Sequence, residues 1–343
     1  MHILRSLILA GPALLAACGE AREEPAPLEA GITVAGHFGA YGAPAEDMSG
    51  LACDWQREGA AMRCLAIDDE GREAQWARFD GAILQAGERF DLLGGGAPLG
   101  TPPGDICLES DADSDELDGE GAAYSDGAFY VTGSHGCSRY GDAYRAASFI
   151  VARIAPDDPV GDILPGTVAI TTSHRLSGMV RRDPALAPFF GASLLDANGL
   201  TIEGLAVDGE RMVFGLRAPV IDGTAFLFET SGTALFSPDI VGPGRSIRVA
   251  LGADTGIRDL AFLSDDRLLI LSGPAQDQDV PYRIHLRADD GTITQLATVD
   301  TWPGGAPEAM AIVGTTDADA TLLILFDGLA DGSPQQMVID LPQ

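Results

Sequence analysis

The chain has 343 residues, 46% of them hydrophobic, enough for a sizeable core in one or two domains. Its 21 basic and 51 acidic residues give a formal net charge of −30, a surface that repels nucleic acid and anionic membrane and draws cations. All 21 basic residues are arginine, and the lack of lysine excludes Schiff-base chemistry and a Walker-type phosphate loop.

The N-terminus reads as a targeting segment. Arg5 supplies a positive n-region, Ser6–Ala17 a short apolar run, and Leu15-Ala16-Ala17-Cys18 the lipobox of a bacterial lipoprotein. The run is too short to span a membrane as a mature helix. Residues 1–17 are therefore expected to be a lipoprotein signal peptide, and Cys18 to carry lipid. Gly19 follows the cysteine, with no Asp there to retain the protein at the inner membrane, so an outer-membrane anchor facing the periplasm is expected. Residues 18–30 read as a flexible polar tether and 31–343 as one domain.

Four cysteines remain in that domain. An exported chain with an even count invites disulfides. Cys53 and Cys64 lie on two consecutive predicted strands, which favours a cross-hairpin bridge and leaves Cys107–Cys137. No C-x-x-C occurs and no histidine has suitable spacing for a zinc cluster.

A hairpin unit recurs along the chain. Its clearest copy is Thr201–Pro219: a strand at Ile202–Val207, a turn at Asp208-Gly209 and a return strand at Met212–Leu216. Antiparallel pairing then brings Glu203 and Arg217 to the same end. Ser49-Gly50-Leu51-Ala52, Glu120-Gly121-Ala122-Ala123, Glu203-Gly204-Leu205-Ala206, Arg258-Asp259-Leu260-Ala261 and Glu308-Ala309-Met310-Ala311 open five such units. Second strands follow at Met62–Ile67, Ala128–Thr132, Met212–Leu216, Leu268–Leu271 and Leu322–Phe326. Outer strands are predicted at Ala147–Ile154 and Thr167–Thr172 in the second unit, and at Tyr282–Leu286 and Thr292–Val299 in the fourth. The fifth unit has three strands, Met310–Val313, Leu322–Phe326 and Met337–Leu341, with Ile32–Ala35 available as its fourth. Helical periodicity is confined to Leu176–Phe190.

Four antiparallel strands per radial repeat describe an all-β fold, a single five-bladed β-propeller closed by an N-terminal strand. Six blades would require one within Leu92–Leu117 or Ser173–Leu200. A two-sheet sandwich is a third option.

Several dispersed phrases add a resemblance: Asp68-Asp69-Glu70, Asp118-Gly119-Glu120-Gly121-Ala122-Ala123, Gly133-Ser134-His135-Gly136, Ile202-Glu203-Gly204-Leu205-Ala206, Gly215-Leu216-Arg217-Ala218-Pro219, Gly256-Ile257-Arg258 and Pro307-Glu308-Ala309. In this order, from about Ser49 to about Phe326, they resemble the domain of unknown function 3616 family, an uncharacterised bacterial family. The sequence departs from the family pattern at Thr201, where Asn is favoured, and at Asp259-Leu260. The resemblance implies a propeller-like fold and no particular reaction.

In a propeller the inner strands start around one channel mouth, and each hairpin returns the end of its second strand to that level. Asp69, Glu70, Glu120, Ser134, His135, Glu203, Arg217, Arg258 and Glu308 are thereby expected to converge as a ligand site. His135, Glu203 and Arg217 are the candidate catalytic groups. Asp69, Glu120, Glu203 and Glu308 are the candidate ligands of a divalent ion, calcium by their hard oxygens. The competing reading is structural: Arg217 and Arg258 neutralise the glutamates and lock blades together. His174 is a weaker catalytic candidate, and His285 is expected to be structural. Asp111, Asp113 and Asp115 imitate an EF-hand start, but Glu116 replaces the required Gly and Ala122 the closing Glu. The expected function is that of a lipid-anchored, monomeric binding propeller taking a small ligand or peptide at its mouth. A calcium- or magnesium-assisted hydrolase of phosphate or ester bonds is the alternative.

Overall fold

The computed structural model describes residues 31–56, 61–104, 106–111, 114–156, 168–240, 242–263 and 266–342. Cys18, its signal-like run, the tether and Asp113 lie outside them. Five meandering sheets surround a common axis, giving a five-bladed β-propeller. Blade 1 holds Met48–Cys53, Met62–Asp68, Glu73–Phe79 and Ile83–Asp91. Blade 2 holds Gly119–Ser125, Ala128–Gly133, Val151–Pro156 and Val168–Ser173. Blade 3 holds Thr201–Asp208, Arg211–Ile221, Thr224–Ser231 and Arg245–Ala250. Blade 4 holds Thr255–Phe262, Leu268–Pro274, Tyr282–Arg287 and Ile293–Val299, and blade 5 Ala306–Thr315, Asp319–Asp327 and Gln335–Asp340. The first-named strand of each blade is innermost.

Neither segment that could have hidden a sixth blade does so. Among the described residues of Leu92–Leu117 the one strand is Glu109–Ser110, paired with Ala143–Tyr144. Ser173–Leu200 holds a helix at Arg175–Val180, a 3-10 turn at Ala187–Phe189 and a short helix at Leu194–Ala197. Leu176, Met179, Val180 and Leu186 from this excursion join the core shared by blades 2 and 3.

Two local expectations shift. In the blade 3 hairpin Asp208 pairs with Arg211, so the turn is Gly209-Glu210, one residue later than predicted. Gly209 takes a φ of +54°, which suits glycine at the first corner of such a turn. The strand predicted from Ala147 begins at Val151, because Ala147–Phe149 forms a 3-10 turn. That turn puts the Ser148 and Ile150 carbonyls where the His135 and Gly133 N–H groups donate to them.

Ring closure also differs in detail. Thr33–Ala35 pairs in parallel with Ile83–Gln85 and becomes the outermost strand of blade 1, not the fourth strand of blade 5. The N-terminal segment still joins both ends of the ring, since Gly31 bridges Gln335 and the Ile32 N–H donates to the Pro334 carbonyl at 3.1 Å. A buried carboxylate reinforces the seam: Asp331 of blade 5 accepts from the Phe38 N–H at 2.8 Å and the Ala45 N–H at 3.2 Å, and meets His37 Nδ1 at 2.7 Å. Apolar packing does the rest, with Met48, Leu51, Cys64 and Leu84 of blade 1 clustered against Ala309, Ala311, Leu323 and Leu325 of blade 5.

Both expected disulfides form, Cys53–Cys64 across the first hairpin and Cys107–Cys137 between two loops on the mouth face.

Near the axis, backbones of neighbouring blades approach closely. A Cβ on Gly121 would lie 2.8 Å from the Leu205 backbone nitrogen, and one on Gly204 about 3.1 Å from the Asp259 backbone. The E-G pair of the repeat therefore reflects contact between inner strands. In blade 4 the glycine position is taken by Asp259. Its buried carboxylate accepts from the N–H groups of Met310 in blade 5 at 2.7 Å, of Leu260, and of Leu205 in blade 3. The departure at Asp259-Leu260 thus exchanges direct strand contact for a carboxylate that clamps three blades.

Gly121→Ala is expected to destabilise the protein by about 1–3 kcal/mol, the usual cost of overpacking. Gly178→Ala, on a helix where the nearest neighbour is the Arg182 guanidinium at 3.6 Å, should be neutral or raise the melting temperature. Thermal denaturation of the two variants checks this pair of signs.

Candidate functional site

The five inner strands share a defect at one position. In each, pairing with the second strand skips a single residue: Ser49 between Met48 and Gly50, Glu120 between Gly119 and Gly121, and Glu203 between Ile202 and Gly204. Arg258 between Ile257 and Asp259, and Glu308 between Pro307 and Ala309, are skipped likewise. A β-bulge inserts an unpaired residue and re-aims its side chain. All five bulged residues lie at the mouth end of their strands.

Their contacts run from blade to blade. Ser49 Oγ donates to the Gly119 carbonyl of blade 2 at 2.5 Å. Glu203 takes Arg217 Nη1 on Oε1 at 2.6 Å and Arg258 Nε on Oε2 at 3.1 Å. The second arm of Arg258 pairs with Glu308 of blade 5. Arg217 Nε further donates to the Ala275 carbonyl of blade 4 at 2.9 Å. The Glu203 and Arg258 side chains are only 4% and 3% exposed, so this is a buried zipper, Arg217–Glu203–Arg258–Glu308, across blades 3, 4 and 5. These four residues are paired with one another across the blades, the arrangement that the structural reading expects.

The other side of the mouth is different. Glu120, Asp69 and Asp118 have no ion pair among the described residues. Burial pushes the Glu120 carboxyl well above its ordinary range; Glu203, Asp118 and Asp69 add to the shift, with Arg217 opposing. Burial, followed by Asp118, Asp47, Asp327 and Glu70, lifts Asp69 to about 8. Burial also raises Asp118, against a hydrogen bond from the Ser134 side chain, and raises Asp327, where Asp47 adds to it. Burial and like charges this close both disfavour the ionised forms, and at its value of about 8 Asp69 holds its proton at neutral pH. Beside them a cavity of about 360 Å³ opens between blade 1 and its N-terminal loop, lined by Glu46, Asp47, Asp68, Glu70 and Arg89. Below the mouth the channel narrows to about 50 Å³ among apolar side chains such as Leu51, Leu205, Leu260 and Met310.

The expected ligand residues thus divide. Asp69, Glu70, Glu120 and Ser134 belong to the acidic side, whereas Glu203, Arg217, Arg258 and Glu308 form the zipper. His135 belongs to neither. It is fully buried, with Nδ1 3.3 Å from Ser177 Oγ and its ring edge-on to Phe149. Burial, then the neighbouring His174, depresses it to about 3 and keeps it neutral. A catalytic role for His135 at the mouth is therefore corrected: the side chain is enclosed against Ser177 and Phe149 and does not reach the mouth. His174 is likewise buried, with Nδ1 on the Phe149 carbonyl at 2.9 Å, and His285 meets Ser272 Oγ at 3.0 Å.

The expected calcium quartet is corrected too. Glu203 and Glu308 are committed to arginine, and no group of three or more His, Cys, Asp or Glu among the described residues is arranged to hold a metal ion. In the EF-hand-like loop, Asp111 and Glu116 pair with Arg145, and Asp115 with Arg72. Asp47, Asp118 and Asp327 were missed as site members. Asp118 stands beside the Gly-Glu-Gly repeat, and Asp327 ends the second strand of blade 5 as Asp68 ends that of blade 1, so position in the repeat was the available signal.

Removing one partner from a buried ion pair leaves an uncompensated charge, at a cost of about 3–5 kcal/mol. Glu203→Gln and Arg258→Met are each expected to lose stability of that order. The double variant should lose clearly less than the sum, as measured by urea unfolding in a double-mutant cycle.

No curated protein sequence matches the chain. Among solved structures it is similar to the exo-beta-1,3-galactanase of Phanerochaete chrysosporium, at 9% identity and a TM-score of 0.46, over 93% of this chain and 65% of that one. The chain thus spans slightly less than two thirds of that enzyme. It is also similar to the six-bladed Aleuria aurantia lectin, at 12% identity and a TM-score of 0.35, over 88% and 80% of the two chains. A family model described as protein of unknown function (DUF3616) matches residues 166–337, half of the chain, and the chain belongs to that family.

Proposed function

We propose that the chain is a binding propeller whose mouth receives the positively charged group of a small ligand or peptide. The observation that carries this reading is the asymmetry of the mouth. Glu203 and Glu308 are compensated by arginine, whereas Asp69 and Glu120 are crowded by other carboxylates, which together with burial push both above their ordinary range. An ammonium or guanidinium group entering there supplies the missing counter-charge. A bare metal ion suits the site less well, because arginine occupies two of the four carboxylates it would need. The metal-assisted hydrolase loses its ligand set for the same reason. The net charge of −30 favours the approach of cations from a distance.

The same proposal places the propeller as a monomer on the periplasmic face of the outer membrane, held by lipid on Cys18 through the 18–30 tether. The lipobox Leu15-Ala16-Ala17-Cys18 supports this. Radiolabelled palmitate should enter the wild-type chain in a bacterial host and not the Cys18→Ser variant. Equal labelling of both would remove the anchor from the proposal.

Cation binding must displace the proton that Asp69 holds near neutral pH. Both groups sit above their ordinary range in the free protein, so affinity should rise as pH increases toward the Asp69 value of about 8. Calorimetric titration with spermidine at pH 6 and pH 8.5 should show tighter binding at the higher pH, with protons released to the buffer at the lower. Asp69→Asn combined with Glu120→Gln should weaken it at least tenfold. No detectable spermidine binding at either pH would sink the reading.

A further inference from the structure

Eight large hydrophobic side chains stand exposed among the described residues, and five of them are on one face: Tyr41, Leu108, Tyr140, Leu195 and Trp302. The direction of the strands fixes which face. Inner strands begin at the mouth, so the segments that precede them, and those joining second to third strands, lie around it. Tyr41 precedes the inner strand of blade 1, Leu108 that of blade 2, Leu195 that of blade 3 and Trp302 that of blade 5. Tyr140 lies between the second and third strands of blade 2. Of the remaining three, Ile83 and Ile240 are on the opposite face, and Val338 is on the outer strand of blade 5.

Local structure holds several of these side chains in place. Leu108 and Tyr140 flank the Cys107–Cys137 disulfide on its two arms. Arg139, beside Tyr140, pairs with Asp277 of blade 4 at 2.7 Å and lies 5.9 Å from the Tyr140 ring centre. Leu195 sits on a helical turn capped by Ser193, and Gln276 fastens the turn through the Leu194 carbonyl at 2.9 Å. Trp302 accepts the Gly305 N–H in a closed turn at 2.9 Å. Side chains displayed this way lose little freedom when covered. Large exposed apolar groups gathered around a polar depression mark an interaction surface.

Charge decides what covers it. These side chains share the mouth face with the acidic side, where Asp69, Glu120, Asp118 and Asp327 crowd. A second copy, itself at a net charge of −30, would be repelled as a whole. Anionic lipid and nucleic acid are repelled alike. We infer that the mouth face docks a polypeptide segment carrying basic side chains flanked by apolar ones, the base entering the mouth and the apolar groups covering Tyr140, Trp302 and their neighbours. This rests on the cation reading above and adds the partner class.

The test uses the full chain and fluorescence anisotropy of three labelled twelve-residue peptides. One alternates leucine with arginine, one serine with arginine, and one leucine with glutamate. The leucine–arginine peptide should bind at least tenfold more tightly than the serine–arginine one, and the leucine–glutamate peptide should not bind. Tyr140→Ser with Trp302→Ser should weaken the leucine–arginine peptide at least fivefold while leaving spermidine binding unchanged, and Ile240→Ser on the opposite face should change neither. Equal affinity of the two arginine peptides, or indifference to the rim substitutions, overturns the inference and leaves the cation reading standing. Binding of the glutamate peptide also overturns it. Loss of both peptide and spermidine binding overturns both.

Discussion

One extra residue per inner strand governs this molecule. A regular strand would pair that residue with its neighbour and send its side chain to a face of the sheet. The bulge frees it at Ser49, Glu120, Glu203, Arg258 and Glu308. Because the bulge falls at the same place in every blade, five side chains of different chemistry reach one mouth. The residue after the bulge is small in four of the five blades, where the next inner strand packs close. Where it is not, at Asp259, the added carboxylate accepts backbone N–H groups from three blades. Site and joint are thus adjacent residues of one repeat.

The bulged residues do not form a uniform ring. Arg258 is the pivot, since its planar fork meets Glu203 with one arm and Glu308 with another, an arrangement a lysine point charge could not match. Around blades 3, 4 and 5 the charges alternate and are buried. Between blades 2 and 3 they do not alternate: Glu120 faces Glu203, and Arg217 serves mainly the latter. Near the seam of blades 5 and 1, Asp47 adds to the burial that raises Asp327, and both add to the shift of Asp69. Burial and this crowding raise Asp69, Glu120, Asp118 and Asp327 above the ordinary carboxyl range, in contrast to the arginine-paired half of the mouth.

Much of this was legible in the sequence, for definite reasons. Recurrent E-G-x-A phrases mark inner strands because close packing and the bulge both act there. The Glu203–Arg217 pair followed from hairpin symmetry alone, and Cys53–Cys64 from consecutive strands. Less legible was whatever depends on neighbours distant in sequence. Glu203 meets Arg258 because blades 3 and 4 are adjacent around the axis, which no local pattern states. The pattern places His135 at a strand end, and what it does not state is that the helix Arg175–Val180 and the 3-10 turn at Ala147–Phe149 fold over it. The N-terminal strand was assigned to blade 5 by counting strands, whereas hydrogen bonding places it beside Ile83–Gln85.

That reassignment bears on how the ring stays shut. Blade 5 has three strands, so its join to blade 1 cannot rest on a shared sheet. The loop after Ala35 instead folds over the seam, and Asp331 fixes it by holding the Phe38 and Ala45 amides and the His37 ring. The same loop carries Asp47 and forms one wall of the acidic cavity. A ligand that draws on Asp47 and Asp69 therefore bridges the first blade to the loop that locks it onto the fifth. On the proposed reading, binding at the mouth would be coupled to closure of the propeller through one segment, and occupancy should stabilise the seam as well as the site.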